Sequence, residues 1–242
     1  MVVVSGGKTN YGEAIGILML DTKFPRVPGD IGNASTFDFP VRYKIVKGAS
    51  AHRVIFEADP KLLGPFITAG KELVKEASVK AITTSGGFLA IFQKEMAQAL
   101  PVPVFTSSLM QVPLVYGMIG KKKVGVLTAH KASLTERHFK SVGVEGIPIA
   151  IEGMDDKAEF KRIINDQLDF DVEKVKAEVV EAAKQLVSEN PDVGAIVFEC
   201  TNFPPFARAV QEATNLPIFD IVTLTKMVYD AIVRKPFTTL FY

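Results

Sequence analysis

The stretch "GAIVFECT" (194–201) decides the fold, because an earlier stretch, "KAITTSGG" (80–87), matches it at an offset of 114 residues. Ala81 and Ile82 fall on Ala195 and Ile196, and Gly86 falls on Cys200. "VPVF" ending at Phe105 falls on "LPIF" ending at Phe219 at the same offset of 114. The segments before them agree as well, "GKELV" (70–74) matching "AKQLV" (183–187) with an offset of 113. Upstream, "IGIL" (15–18) resembles "VGVL" (124–127). A match that keeps its register over four elements marks two copies of one structural unit.

Within each copy, short apolar runs alternate with amphipathic segments. The first half reads "EAIGILML" (13–20), "PKLLGPFITAGKELVKEA" (60–77), "KAITTS" (80–85), "FLAIFQKEMAQAL" (88–100) and "VPVFTS" (102–107). The second reads "KKVGVLTA" (122–129), "SLTERHFKSV" (133–142), "VEKVKAEVVEAAKQLVSE" (172–189), "GAIVFE" (194–199), "PFARAVQEA" (205–213) and "LPIFDI" (216–221). This order predicts an α/β fold of two pseudo-symmetric lobes, each a mostly parallel sheet flanked by helices. The expected division places residues 1–106 plus 223–242 in an N-terminal lobe and 107–222 in a C-terminal lobe. Open parallel sheets bind ligands at the carboxyl ends of their strands. The active site is therefore expected in the cleft between the lobes, with Gly86 and Cys200 on opposite walls.

Composition narrows the function. With 242 residues, 48% of them apolar and 23% charged, the chain can bury one large or two small α/β cores. The 28 Lys and Arg nearly cancel the 27 Asp and Glu, and no basic stripe interleaved with aromatics is present, which argues against nucleic acid as a partner. One cysteine makes neither an internal disulfide nor a structural zinc site. The histidines, His52, His130 and His138, show no ligand spacing except that His130 and His138 stand eight apart, and neither metal nor nucleotide cofactor is expected. The opening "MVVVSGGKTN" holds an apolar run too short for a signal peptide or a membrane span. A soluble protein of the reducing cytoplasm is the expectation.

Cys200 stands where a parallel sheet puts chemistry. In "TNFPPFARAVQEA" (201–213), Thr201 or Asn202 is suited to cap a helix and a proline to open its first turn. The unpaired amides of that turn favour an anion, either a substrate carboxylate or the thiolate. The first lobe repeats the device with Ser85, Gly86 and Gly87. A cleft thiol transfers protons at carbon without a cofactor, and covalent attack is also open to it. The competing reading is a small packed hydrophobe.

A strand ending in "ECTN" before a helix, the matched strand end one repeat earlier, and "VGVLTAH" (124–130) together resemble the aspartate/glutamate/hydantoin racemase superfamily over nearly the whole chain. The loop "DTKFPRVPGDIGNASTFDFPVRY" (21–43) is similar to that of members of this group. The resemblance implies cofactor-independent catalysis by two cysteines on opposite faces of a substrate carbon, and it is compatible with a homo-oligomer. This chain has the second cysteine, Cys200, but carries Gly86 at the place of the first. Two-thiol racemisation is thus closed to it. A racemase or isomerase with an altered first base, for which His130 is the candidate, is the leading expectation. The alternative is a lyase resembling arylmalonate decarboxylase, a branch with glycine at the first site and one cysteine acting as proton donor. Against that branch, His130 stands where it would have tyrosine, and "CTN" is more racemase-like. A catalytically impaired binder of small carboxylates is the third reading.

Other residues join the list by position. Thr84 and Ser85 are candidates for holding a carboxylate, or are capping hydroxyls. Thr128 and His130 end the first strand of the second lobe and are expected to face the cleft. Asp21 follows the first strand and is a candidate pocket residue. With Gly86, Gly87, Thr201 and Asn202 these complete the expected substrate-binding set around catalytic Cys200. Arg26 and Asn33 in the long loop are candidates for recognition or for ordering a lid. Ser107 and Ser108 read as helix caps, and Lys121 to Lys123 as a solvated helix end.

Overall fold

The structure is a computed structural model that describes residues 3–120 and 122–236. Lys121 and the last six residues of the expected N-terminal lobe, 237–242, lie outside the described residues. In chain order the elements are β1 (Ile15–Leu20), β2 (Val41–Val46), α1 (Ala51–Ile55), α2 (Leu63–Ala77), β3 (Ala81–Thr84), α3 (Gln93–Ala99), β4 (Val104–Phe105) and α4 (Val112–Met118). The second half adds β5 (Lys123–Thr128), α5 (Glu136–Ser141), β6 (Ile149–Gly153), α6 (Phe160–Ile164), α7 (Val172–Glu189), β7 (Val193–Phe198), α8 (Ala207–Thr214), β8 (Ile218–Phe219) and α9 (Ile221–Ile232).

Two four-stranded sheets result, with orders β2-β1-β3-β4 and β6-β5-β7-β8, and every pairing is parallel. The orders are the same once β5 is laid on β1. Register agrees too: Gly16 pairs with Ile82, and Gly125 with Ile196. The predicted repeat is therefore a repeat of structure. β2 and β6, which the pattern reading did not pick out, each form one edge of a sheet, β4 and β8 forming the other. Their half-exposed sequences, VRYKIV and IAIEG, lack the apolar continuity of the central strands.

A glycine in each central strand sets how closely the main helix packs. A Cβ placed on Gly16 would lie 2.9 Å from Leu73 Cδ1 of α2 and 3.2 Å from Val79 Cγ2. On Gly125 it would lie 2.9 Å from Leu186 Cδ2 of α7 and 3.1 Å from Val193 Cγ1. Leu73 and Leu186 are the equivalent leucines of "GKELV" and "AKQLV". Each lobe thus seats its helix on the same notch in its sheet.

The lobes also exchange helices. α4 follows β4 of the first sheet yet packs on β5, while α9 follows β8 of the second and packs on β3. Their amino ends meet, Gln111 Nε2 donating to the Asp220 carbonyl at 2.9 Å. β1 shows how the first sheet is covered on both faces. Leu18 and Leu20 enter the large core, which runs through both lobes, whereas Ile15, Ile17 and Met19 enter a second cluster with Phe37, Phe39 and Leu224 of α9. Among the described residues no helix is long and apolar enough to cross a membrane.

The two notches make a matched pair of tests. Gly16→Ala and Gly125→Ala are each expected to destabilise the fold by about 1–3 kcal/mol through overpacking, measured by urea unfolding. Neutral effects at both positions would mean the helices do not depend on that close approach.

Candidate active site

The strand ends border a hollow between the lobes. From the first lobe it is lined by Ser85, Gly86 and Gly87 after β3, and from the second by Glu199, Cys200, Thr201 and Asn202 after β7. Leu20, Phe24, Val54, Ile55, Phe88 and Ile163 give it largely apolar walls. Gly86 and Cys200, equivalent positions in the two lobes, thus line one hollow. Both helices that follow start with a 3-10 turn, Gly87–Phe92 and Pro204–Phe206.

Cys200 is buried, and its thiol donates to Asn202 Oδ1 at 3.5 Å. Asn202 Nδ2 in turn donates to Asp30 Oδ2 at 2.7 Å, and Asp30 Oδ1 accepts from Arg26 at 2.9 Å and from the Gly32 amide at 2.7 Å. Arg26 lies with its guanidinium 4.2 Å above the Phe24 ring. A chain of hydrogen bonds therefore ties the sulfur to the 21–43 loop of the other lobe. Burial above all, and then the neighbouring Glu199 charge, push the Cys200 thiol well above its ordinary value. That direction favours the thiol over the thiolate.

Thr201 and Asn202 do not cap the next helix. Phe203 precedes its first turn, with Pro204 opening it as expected, and no side chain caps it. Thr201 Oγ1 instead donates to the Ser85 carbonyl at 2.8 Å, and Ser85 Oγ accepts from the Leu20 amide at 2.9 Å. These are bonds between lobes or between strand ends. Asp166 adds a clasp over the same junction, accepting from the Phe24 amide at 2.9 Å and from the Lys23 amide.

Six of the ten expected site residues line the hollow: Cys200, Ser85, Gly86, Gly87, Thr201 and Asn202. The other four do not. Asp21 is exposed and accepts from the Gly48 amide at 3.0 Å. Thr84 is buried with its hydroxyl on the Thr106 carbonyl at 2.7 Å. Thr128 points to the Glu199 carboxyl at 2.8 Å. His130 lines a neighbouring hollow, its Nδ1 accepting from the Ser133 amide at 3.2 Å and its Nε2 lying 3.3 Å from Asp155 Oδ1. Ala129 still lines the hollow and also the neighbouring one, and His130 lines only the neighbouring one, which a strand-end count does not reveal. Ser107 does cap its turn, whereas the Ser108 hydroxyl crosses to the Phe198 carbonyl.

Gly86 and Gly87 differ. A Cβ on Gly86 would meet Leu20 Cδ1 at 3.3 Å, a tight contact with a side-chain tip, and its φ of −147° suits any residue. On Gly87 it would stand 2.2 Å from Glu199 Oε1 and 2.1 Å from the Glu199 carbonyl. The space beside Gly87 is already filled by Glu199, whereas beside Gly86 only the Leu20 side chain approaches.

Glu199 is the functional-site residue that pattern reading missed. Its carboxyl is fully buried, Oε2 accepts from Thr128 and from the Ala129 amide at 3.4 Å, and Oε1 has no partner among the described residues. Burial pushes its pKa up to about 7 against the pull of those two donors. The available signal was an acid at the buried end of a strand, where a solvated charge has no place. His138 is the other buried group with an unpartnered atom, Nε2; its ring stands edge-on to Phe88 at 5.3 Å, and burial holds its pKa down to about 4. Among the described residues no three His, Cys, Asp or Glu side chains gather closely enough to hold a metal ion.

No family model matches the chain. It is 32% identical over 235 residues to the dimethylsulfoniopropionate lyase of Durusdinium sp. clade D, covering 92% of this chain and 76% of that one. Its fold matches unliganded arylmalonate decarboxylase with a TM-score of 0.61 at 15% identity, over 91% of this chain and 92% of that one. An aspartate racemase homologue from Pyrococcus horikoshii matches with a TM-score of 0.56 at 18% identity, over 90% and 99%. The fold is that of the Asp/Glu racemase superfamily, whose enzymes include isomerases and lyases. Within it, the chain belongs to the family of the dimethylsulfoniopropionate lyases.

Folding raises the proton affinity of Glu199, so its contribution to stability is full below about 4.5, declines as pH rises, and levels off above about 7. Glu199→Gln is expected to stabilise the protein at pH 8 by up to roughly 3 kcal/mol and to change little at pH 4. Thermal unfolding at the two pH values checks both halves.

Proposed function

We propose that the chain is a cofactor-independent lyase acting on a small carboxylate, with Cys200 transferring a proton at the carbon next to that carboxylate. The observation that carries this reading is the one-sided hollow: a sulfur on one wall and, at the equivalent place on the other, Gly86 with no side chain. Racemisation needs proton transfer on both faces of a carbon, whereas a lyase needs it on one. His130, turned into the neighbouring hollow, leaves the racemase reading without its second base.

The relatives supply the first substrate to try. Dimethylsulfoniopropionate carries its sulfonium on the carbon β to the carboxylate. Removal of an α-proton lets that C–H pair form the new double bond while the C–S pair leaves with sulfur, giving acrylate and dimethyl sulfide, with the proton left on the base. Arg26 and the amides after Gly86 suit the carboxylate. The Phe24 and Phe88 rings suit a methylated cation. A sulfonium in the hollow also offsets the negative charge that keeps Cys200 protonated, easing its conversion to a base. A second reading, decarboxylation with Cys200 as proton donor, is favoured by the protonated resting thiol.

The test is direct. Dimethyl sulfide is expected in the headspace over protein and dimethylsulfoniopropionate, and Cys200→Ala is expected to lower its release at least about 100-fold. Carbon dioxide from aryl- or alkylmalonates with no dimethyl sulfide would select the decarboxylase instead. Turnover that survives Cys200→Ala would remove the thiol from the mechanism. Gly86→Cys, which the space beside Leu20 accommodates, is expected to add α-hydrogen exchange of amino acids or hydantoins in deuterated water.

A further inference from the structure

Glu199 is the buried group that the one-thiol reading leaves without a task. Its carboxyl and the Cys200 sulfur come from consecutive residues and line the same hollow, but they are drawn apart. The sulfur turns to Asn202, and the carboxyl turns to Thr128 and lies against Gly87 in the opposite lobe. That contact exists only because Gly87 has no side chain. The carboxyl therefore reaches the wall formed by Gly86 and Gly87, where the other lobe offers no side chain of its own. Thr128 and Ala129 anchor one oxygen, and the other is unpartnered. A fully buried oxygen without a donor is costly to keep unless it serves a purpose.

We propose that Glu199 is the second proton-transfer group of the hollow, supplying from the C-terminal lobe the proton acceptor that Gly86 does not provide. This deepens the lyase reading and rests on it. In the elimination this changes one role in that reading: the α-proton passes to Glu199 Oε1 in place of Cys200, the C–H pair forms the double bond, and the C–S pair departs with the sulfide. Cys200, kept as a thiol, then supports the carboxylate as a hydrogen-bond donor or delivers a proton to carbon where decarboxylation leaves a carbanion. Burial brings Glu199 near half ionisation at neutral pH, the condition in which a general base works best. The other titratable or charged groups around the hollow are Cys200 itself, Asp30 and Arg26 of the 21–43 loop, and His138 behind Phe88. His138 stays neutral at the pH values concerned.

Because Cys200 is the sole cysteine, its alkylation by iodoacetamide reports on Glu199 without any substrate. Below pH 6 the wild type and Glu199→Gln are expected to alkylate at equal rates, since the carboxyl is neutral in the wild type. Above pH 8 the variant is expected to react roughly three- to tenfold faster, the carboxylate no longer opposing the thiolate, with the ratio changing around pH 7. A ratio that is flat with pH overturns the proposal, whether or not a substrate is ever found. Dimethyl sulfide release supplies the second arm. Wild-type kcat/KM is expected to fall as pH drops through about 7, Glu199→Gln to lose about 100-fold or more at pH 8, and Glu199→Asp to recover part of the loss with the pH limb retained. Full activity in Glu199→Gln, or a drop in its Tm at pH 8 that accompanies the lost activity, assigns Glu199 a structural role instead. Absence of turnover in the wild type counts against the lyase reading, and a flat alkylation ratio still overturns the assignment of Glu199.

Discussion

The carboxyl of Glu199 rests on the bare backbone of Gly87, and through that contact the two carboxyl-terminal edges of the sheets approach closely enough to share one hollow. Any side chain at Gly87 would strike both the carboxyl and the carbonyl of Glu199. Around this point the lobes are stitched by bonds that are individually modest, Thr201 to Ser85, Asn202 to Asp30, and Asp166 to the Phe24 amide. The exchanged helices α4 and α9 make the arrangement hard to open as two rigid halves, because each lobe carries the other's last helix. The apposition of strand ends is thus a consequence of fold closure, and the position of the sulfur follows from it.

Much of this was legible in the sequence, and the part that was not has physical reasons. Central strands and their helices announce themselves because they are apolar on both faces or along one stripe, and their duplication at a fixed offset leaves little freedom. The family resemblance pointed to Cys200 and Gly86 together, and the equivalence of β3 and β7 accounts for their meeting. β2 mixes exposed Arg42 and half-buried Lys44 with apolar residues and carries no such mark. Side-chain direction past a strand end is the harder matter. Thr128 ends β5 and His130 follows two residues later, yet one braces Glu199 and the other faces Asp155. Thr201 and Asn202 read as caps because a proline helix start follows them, but their hydroxyl and amide go to the opposite lobe, a choice set by tertiary neighbours.

Charge placement in the hollow bears on which chemistry it suits. Asp30 is neutralised by Arg26, leaving Glu199 as the acid whose charge is not matched by a cation. A ligand that brings a positive centre into the hollow would relieve that imbalance and lower the thiol's proton affinity at the same time. A ligand with two negative charges, such as a malonate, would do the opposite and keep both Cys200 and Glu199 protonated, which is the state a proton donor requires. The same pair of residues is therefore biased towards elimination or towards decarboxylation by the substrate's own charge, since coupled groups titrate as a unit rather than one by one.

This coupling explains why a glycine at position 86 is tolerable in a fold whose relatives include two-sided isomerases. A Cβ there would meet the Leu20 side-chain tip at 3.3 Å, a tight contact that a small shift of that side chain relieves, so the steric case against it is weak. The chemical case is stronger. A second sulfur beside a buried carboxyl that already struggles to ionise would add another group competing for the same scarce stabilisation of negative charge. With Gly86 bare, the hollow has to stabilise one anionic charge between Glu199 and Cys200. On the proposed reading, the side of the hollow at Gly86 takes the substrate and the acid–base work falls to two consecutive residues at the end of one strand.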